Sequence, residues 1–184
     1  MDNIMLDLET MGQGHNAAII AIGAISFDLE TLTTGQKFYA VIDLQSSVVY
    51  GANMDASTVL WWMRQSTEAR AVFDAPGLHI TAALNRFSDW IDEISSPDTV
   101  KIWGNGSDFD NIILASAYRN THGQTPWKYD NNRCYRTVKA LHPELKMHRT
   151  GTHQNALDDA TSQAEHLIQL FSHMRVTQAV ESKA

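Results

Sequence analysis

Ile4-Met5-Leu6-Asp7-Leu8-Glu9-Thr10 is an apolar run near the start of the chain that carries two acids. Residues 3–9 read as a buried strand. Side chains two apart on a strand point to the same face, so Asp7 and Glu9 project together from the middle of a sheet. Neighbouring carboxylates repel unless positive charge lies between them. A hard divalent cation with oxygen ligands suits such a pair. The same pattern also describes a solvated turn at a strand end. The choice depends on whether further acids arrive from other apolar elements.

The segments that follow define the sheet. Ala17 to Phe27 is rich in Ile and Ala and too continuous for an exposed edge. Gln36 to Leu44 alternates, with Phe38, Ala40, Ile42 and Leu44 on one side. Asp28 to Gly35 reads as the hairpin loop between them. Three strands with short links imply an antiparallel meander. The period then changes. Asp55 is placed to cap a helix through Val59, Trp62 and Met63, re-capped near Ser66 and reaching Phe73. Pro76-Gly77 breaks the chain. Ile80, Ala83, Leu84, Phe87, Ile91 and Ile94 follow helical spacing. Thr99 to Trp103 is a short strand, Asn111 to Tyr118 a helix, and Ala156 to Phe171 another. The expected fold class is α/β, with a mixed sheet of three antiparallel strands followed by parallel strands, flanked by helices.

The chain has 184 residues, 43% hydrophobic and 19% charged, the make-up of one globular domain. We expect that domain over residues 1–172, with a polar, fraying tail at 173–184. A single cysteine, Cys134, rules out an intramolecular disulfide and suits a reducing compartment. No run approaches the ~18 apolar residues of a membrane span. The first residues lack the basic and apolar regions of a signal peptide. A cytoplasmic location without membrane association is the expectation. The net charge of -7 argues weakly against a broad nucleic-acid-coating surface and suits a short substrate grip.

Two further acidic sites lie at element boundaries. Trp103-Gly104-Asn105-Gly106-Ser107-Asp108-Phe109-Asp110 begins where the fourth strand ends and stops where a helix begins. Such crossings collect functional groups in α/β folds, although an acid there also caps a helix. His153-Gln154-Asn155-Ala156-Leu157-Asp158-Asp159-Ala160 leads into the last helix, with Asn155 as N-cap. If Leu157, Ala160 and Ala164 mark its buried side, Asp158 flanks that side and reaches inward, and Asp159 is the spare. His153 precedes the helix, on a loop that sets an imidazole near the acids. Of eight histidines, only this one has an Asp five residues later.

Together, Asp7-x-Glu9, then Asn105 and Phe109-Asp110, then His153-x4-Asp158 resemble the three sequence blocks of the DnaQ-like 3′–5′ exonucleases, in the DEDDh branch. The blocks occur in order over nearly the whole chain. Asp55-x2-Thr58-Val59-x-Trp61-Trp62-x2-Gln65-x2-Glu68-Ala69-Arg70 is similar to a compact subgroup that includes RNase AS-type domains and phage exodeoxyribonucleases. Many relatives have an Asn four residues before the second-block acid; here that residue is Gly106, and Asn105 is five before. The resemblance implies a ribonuclease H-like fold and two divalent ions, Mg2+ or Mn2+, held by Asp7, Glu9, Asp110 and Asp158, with His153 as general base. It implies release of nucleoside 5′-monophosphates from the 3′ ends of single-stranded DNA or RNA, and a homodimer. Thr10, Met11 and Gly12 would line the terminal nucleotide's pocket. Met11 or Phe109 would stack on a base, and Asn105 would contribute a contact. Trp61 and Trp62 lie about 100° apart on a helix, so one belongs to the core and the other to the cleft or a partner. Two alternatives share these residues: a module that grips 3′ ends without cutting, and a phosphodiesterase acting on very short oligonucleotides.

Overall fold

A computed structural model describes residues 1–181. Five strands form one mixed sheet in the order β3-β2-β1-β4-β5: β1 (Asn3–Thr10), β2 (Ile19–Asp28), β3 (Thr33–Val41), β4 (Lys101–Gly104) and β5 (Asn132–Cys134). The first three are antiparallel neighbours, while β4 runs parallel to β1 and β5 parallel to β4. This is the expected α/β architecture, with the acid-bearing strand at its centre.

Alternation along β1 assigns each side chain to a layer. Ile4, Leu6 and Leu8 join one apolar cluster with Ile80, Leu84, Phe87 and Ile91 of α4 (Ile80–Ile94) and with Ile113 and Leu114 of α5 (Ile112–Asn120). Met5 faces the other way, into a cluster with Ala160, Ala164, Leu167 and Leu170 of α7 (Ala156–Glu181). Asp7 and Glu9 follow Met5 on that face. The sheet is thus covered on both sides, and its acids point toward the start of α7.

Gly23 sets how closely that helix approaches. It pairs with Asp7 on one side and Tyr39 on the other. A Cβ at Gly23 would lie 2.1 Å from the backbone carbon of Ala156 and 2.3 Å from the nitrogen of Leu157. Only a glycine lets the first turn of α7 press onto the sheet beside Asp7.

Several boundaries differ from expectation. β3 ends at Val41, because Asp43 caps a short helix, α1 (Leu44–Val49), accepting from the backbone N–H of Gln45. The region 55–73 is broken into α2 (Ala56–Trp62), α3 (Thr67–Arg70) and a 3-10 turn, with Ser66 re-capping at Ala69. β5 and the helix that follows it, α6 (Tyr135–Leu141), have no counterpart in the sequence reading. The last helix continues past Phe171 to Glu181, where a fraying tail from residue 173 was expected; residues 182–184 lie outside the described residues. No helix among the described residues is long and apolar enough to cross a membrane.

Candidate active site

Asp7, Glu9 and Asp159 each bring a carboxylate oxygen within 4.8 Å of the others. Glu9 and Asp159 are buried, while Asp7 keeps an exposed edge although it sits deep in the protein's low-dielectric volume. Burial, then Asp110, Glu9 and Asp159, raise the Asp7 carboxyl well above its ordinary range, against one hydrogen bond from Gln163 Nε2 at 2.7 Å. Burial and the charges of Asp159 and Asp110 push Glu9 up to about 8. These shifts mark negative charge crowded out of water with too little compensation. A hard dication is the chemically apt occupant, since it takes oxygen ligands and removes the repulsion.

Asp110 reaches the group from a different element. It lies in a π-helical turn, Ser107–Asn111, that joins β4 to α5. Its two oxygens accept from the backbone N–H groups of Leu8 and Asn105 at 3.1 and 3.0 Å. Burial pushes this carboxyl to about 7, against those bonds and the charge of Arg136. Gly104 makes room for the turn: a Cβ there would meet Asn111 Oδ1 at 2.4 Å.

The acid that α7 brings to this pair is not the expected Asp158. Asp159 faces Asp7 and Glu9, while Asp158 turns to the preceding loop and accepts from the Thr152 N–H at 2.7 Å. Leu157 misled the reading of the face, because it is only partly buried. Ala156 and Ala160 are fully buried, and Asp159 and Gln163 follow them at helical spacing. The signal was present: Asp159 and Gln163 are an i,i+4 pair, and the second of them binds Asp7. Asn155 caps the helix as expected, accepting from Leu157 and Asp158.

The other expected residues divide. Thr10, Gly12, Trp61, Trp62 and Phe109 line a groove of about 400 Å³ beside Glu9, together with Gln13, Ser57, Thr58, Arg64 and Gln154. Trp62 is core; its Nε1 donates to the Thr10 carbonyl at 2.9 Å and pins α2 to the end of β1. Trp61 is 41% exposed. Met11 is not at the groove but packs with Ala18, Ile20, Trp62 and Ala69, so it has no free face for a base. Asn105 uses its backbone, donating to Asp110 and accepting from Arg136. His153 is exposed, with ring nitrogens 3.1 and 3.3 Å from Gln154 Nε2, and Gln154 forms the groove wall. Thr58, present in the subgroup signature but not among the expected site residues, is a buried groove residue whose Oγ1 has no hydrogen-bond partner among the described residues.

The 3′–5′ exoribonuclease Rv2179c-like domain matches residues 2–171. This chain belongs to that family. An exodeoxyribonuclease of Enterobacteria phage T4 is 30% identical over 168 residues, covering 77% of this chain and 72% of the phage protein. The fold is that of the ribonuclease H-like DEDDh exonucleases. The nuclease domain of 3′hExo, a DEDDh family member bound to rAMP, superposes with a TM-score of 0.65 at 12% identity, covering 93% of this chain and 92% of that one. Exonuclease I of E. coli, in complex with a dT13 oligonucleotide, gives 0.66 at 16% identity, covering 96% and 42%. Family membership makes the chain a 3′–5′ exonuclease and implies dependence on divalent metal.

Proposed function

We propose that the chain removes nucleoside 5′-monophosphates from the 3′ ends of single-stranded nucleic acid, using Asp7, Glu9, Asp110 and Asp159 as its metal-holding acids. The observation that carries this reading is the convergence of Asp7, Glu9 and Asp159 at the edge of an aromatic groove. Two Mg2+ or Mn2+ ions, when bound, supply Lewis acidity at the scissile phosphate. The chain's own residues orient the strand. Phe109 and Trp61 offer faces for base stacking, and Thr10, Gly12 and Thr58 form the polar wall against the terminal nucleotide. His153 serves as general base once its loop brings the imidazole over the acids.

The relatives pull in both directions on sugar: the family description names an exoribonuclease and the phage relative an exodeoxyribonuclease. We place the enzyme in the cytoplasm, where the thiol of Cys134 stays reduced. We also propose a homodimer. Leu60, Trp61 and Met63 on and just after α2 are 51%, 41% and 66% exposed, an apolar strip suited to a second copy.

The test is a 5′-labelled single strand, as DNA and as RNA, incubated with Mg2+ or Mn2+. A ladder of products shortened from the 3′ end, with mononucleotide release, is expected. Retention without cleavage would make the protein a 3′-end binder, and action on dinucleotides alone would make it a small phosphodiesterase. Light scattering tests assembly: a fully active monomer of 20.6 kDa would remove the dimer.

A further inference from the structure

His142, Glu144 and His173 form a second convergence of ligand atoms, outside the carboxylate site. One nitrogen from each imidazole and one oxygen of Glu144 lie within 4.8 Å of one another. His142 Nδ1 is 3.1 Å from Glu144 Oε1, and the two rings sit edge to face with centroids 5.7 Å apart. We propose that this trio is a transition-metal site, suited to Zn2+, that staples the turn after α6 to the outer half of α7.

The backbone around it is fixed from within. Leu145 N–H donates to the His142 carbonyl at 3.2 Å. The Leu145 carbonyl in turn accepts from His166 Nε2 at 3.1 Å, which leaves His166 Nδ1 to accept from the Tyr135 hydroxyl at 2.7 Å. The turn that carries His142 and Glu144 is therefore held to α7 at His166. His173 lies seven residues further along, two turns on, so it shares the face that this turn covers. All three ligands are anchored to elements whose mutual position does not depend on a metal.

The donor set decides the metal. Two imidazoles and one carboxylate suit zinc, with ligand distances of about 2.0–2.2 Å and a fourth position left for water. Mg2+ and Ca2+ prefer all-oxygen sets and gain little here. The active-site acids have the opposite preference. The two sites are also separated along one helix, since the fourteen residues from Asp159 to His173 span about 21 Å. A metal at the outer site joins the segment that begins at His142 to the helix that ends it, and that segment carries Arg149 and Gln154, both bonded to Asp159. The expected consequence is a stiffer loop beside the active site without a part in the chemistry.

The full chain is tested with excess Mg2+ present to fill the carboxylate site, by titration with Co2+ followed in the visible spectrum and with Zn2+ followed by melting temperature. One Co2+ per chain with the intense bands of a low-coordinate site is expected, and Zn2+ should raise the melting temperature by on the order of 5 °C. His142→Ala and His173→Ala should abolish both signals, and Glu144→Gln should weaken them, while Asp159→Asn keeps them. All three positions are at the surface or partly exposed, so the variants remain folded, which circular dichroism checks. Signals that persist in both histidine variants and vanish in Asp159→Asn would overturn the proposal, as would the absence of any saturable Co2+ band.

Discussion

Arg149 donates from its guanidinium to Oδ1 of Asp159, setting a fixed positive charge on the acid that faces Asp7 and Glu9. A divalent ion at the cluster must share that carboxylate with the arginine. Arg149→Gln removes the competing charge. Because the side chain is about half exposed, the effect is modest: the metal concentration giving half-maximal activity should fall roughly 3–10-fold. A metal titration of activity checks this, and an increased metal requirement would show that Arg149 supports the site instead.

Asp158 and Asp159 are adjacent, yet only one faces the cluster. Asp159→Asn should abolish cleavage, a loss beyond the roughly 10–100-fold typical of a supporting partner. Asp158→Asn keeps the bond from Thr152 and should stay within about tenfold of the parent. Single-turnover rates at saturating metal decide between them. A dead Asp158→Asn beside an active Asp159→Asn would reverse the assignment.

That pair also shows what the sequence made legible. The D-x-E strand, the meander and the crossover after β4 were readable because strand alternation is strict and apolar runs are long. The face of α7 was not, because its first turn mixes Ala156, Leu157 and two acids, and the buried side is marked by alanine, which carries little hydrophobic signal. β5 escaped notice because Asn132-Arg133-Cys134 is three partly exposed residues at a sheet edge, held by backbone pairing and not by an apolar pattern. Thr58 stands in the subgroup signature, but only the fold shows that its hydroxyl is buried at the groove.

The raised Glu9 carboxyl makes the metal-free fold sensitive to pH. Folded, it titrates near 8 against an ordinary value of 4.5, so the folded state holds its proton more tightly than the unfolded chain. Stability from this group is complete below the ordinary value and is lost as pH rises through about 8. Glu9→Gln removes that loss. In chelator, the variant should melt higher than the parent at about pH 8, by roughly 5–10 °C, with the gap closing toward pH 5. Saturating metal should shrink the gap. Equal melting temperatures across the whole range would mean that the cluster carries no electrostatic strain.

His153→Ala should lower the turnover rate by roughly 10²–10⁴-fold if the imidazole is the general base, with smaller loss of single-strand affinity. Gln154, which adopts a positive φ of 64° and lines the groove, provides the contrast. Gln154→Gly keeps the turn without strain and should alter KM more than kcat. If Gln154→Gly instead suffers the large kcat loss while His153→Ala is normal, the proton acceptor is not His153.

Thr58 gives the sharpest test of the groove as the nucleotide site. Its Oγ1 is buried without a partner in a side chain 8% exposed, an arrangement that costs stability unless a ligand satisfies it. Thr58→Val preserves the shape and removes the hydroxyl. The free protein should then be as stable as the parent or slightly more so, since a stranded polar atom has been replaced by a methyl. Substrate binding should weaken by roughly 2–10-fold, the worth of one neutral hydrogen bond, with kcat little changed. Melting temperature and steady-state kinetics on the same oligonucleotide separate the two effects. A destabilised variant with unchanged KM would mean that the hydroxyl serves the fold alone, and the terminal nucleotide would then have to be sought elsewhere along the groove.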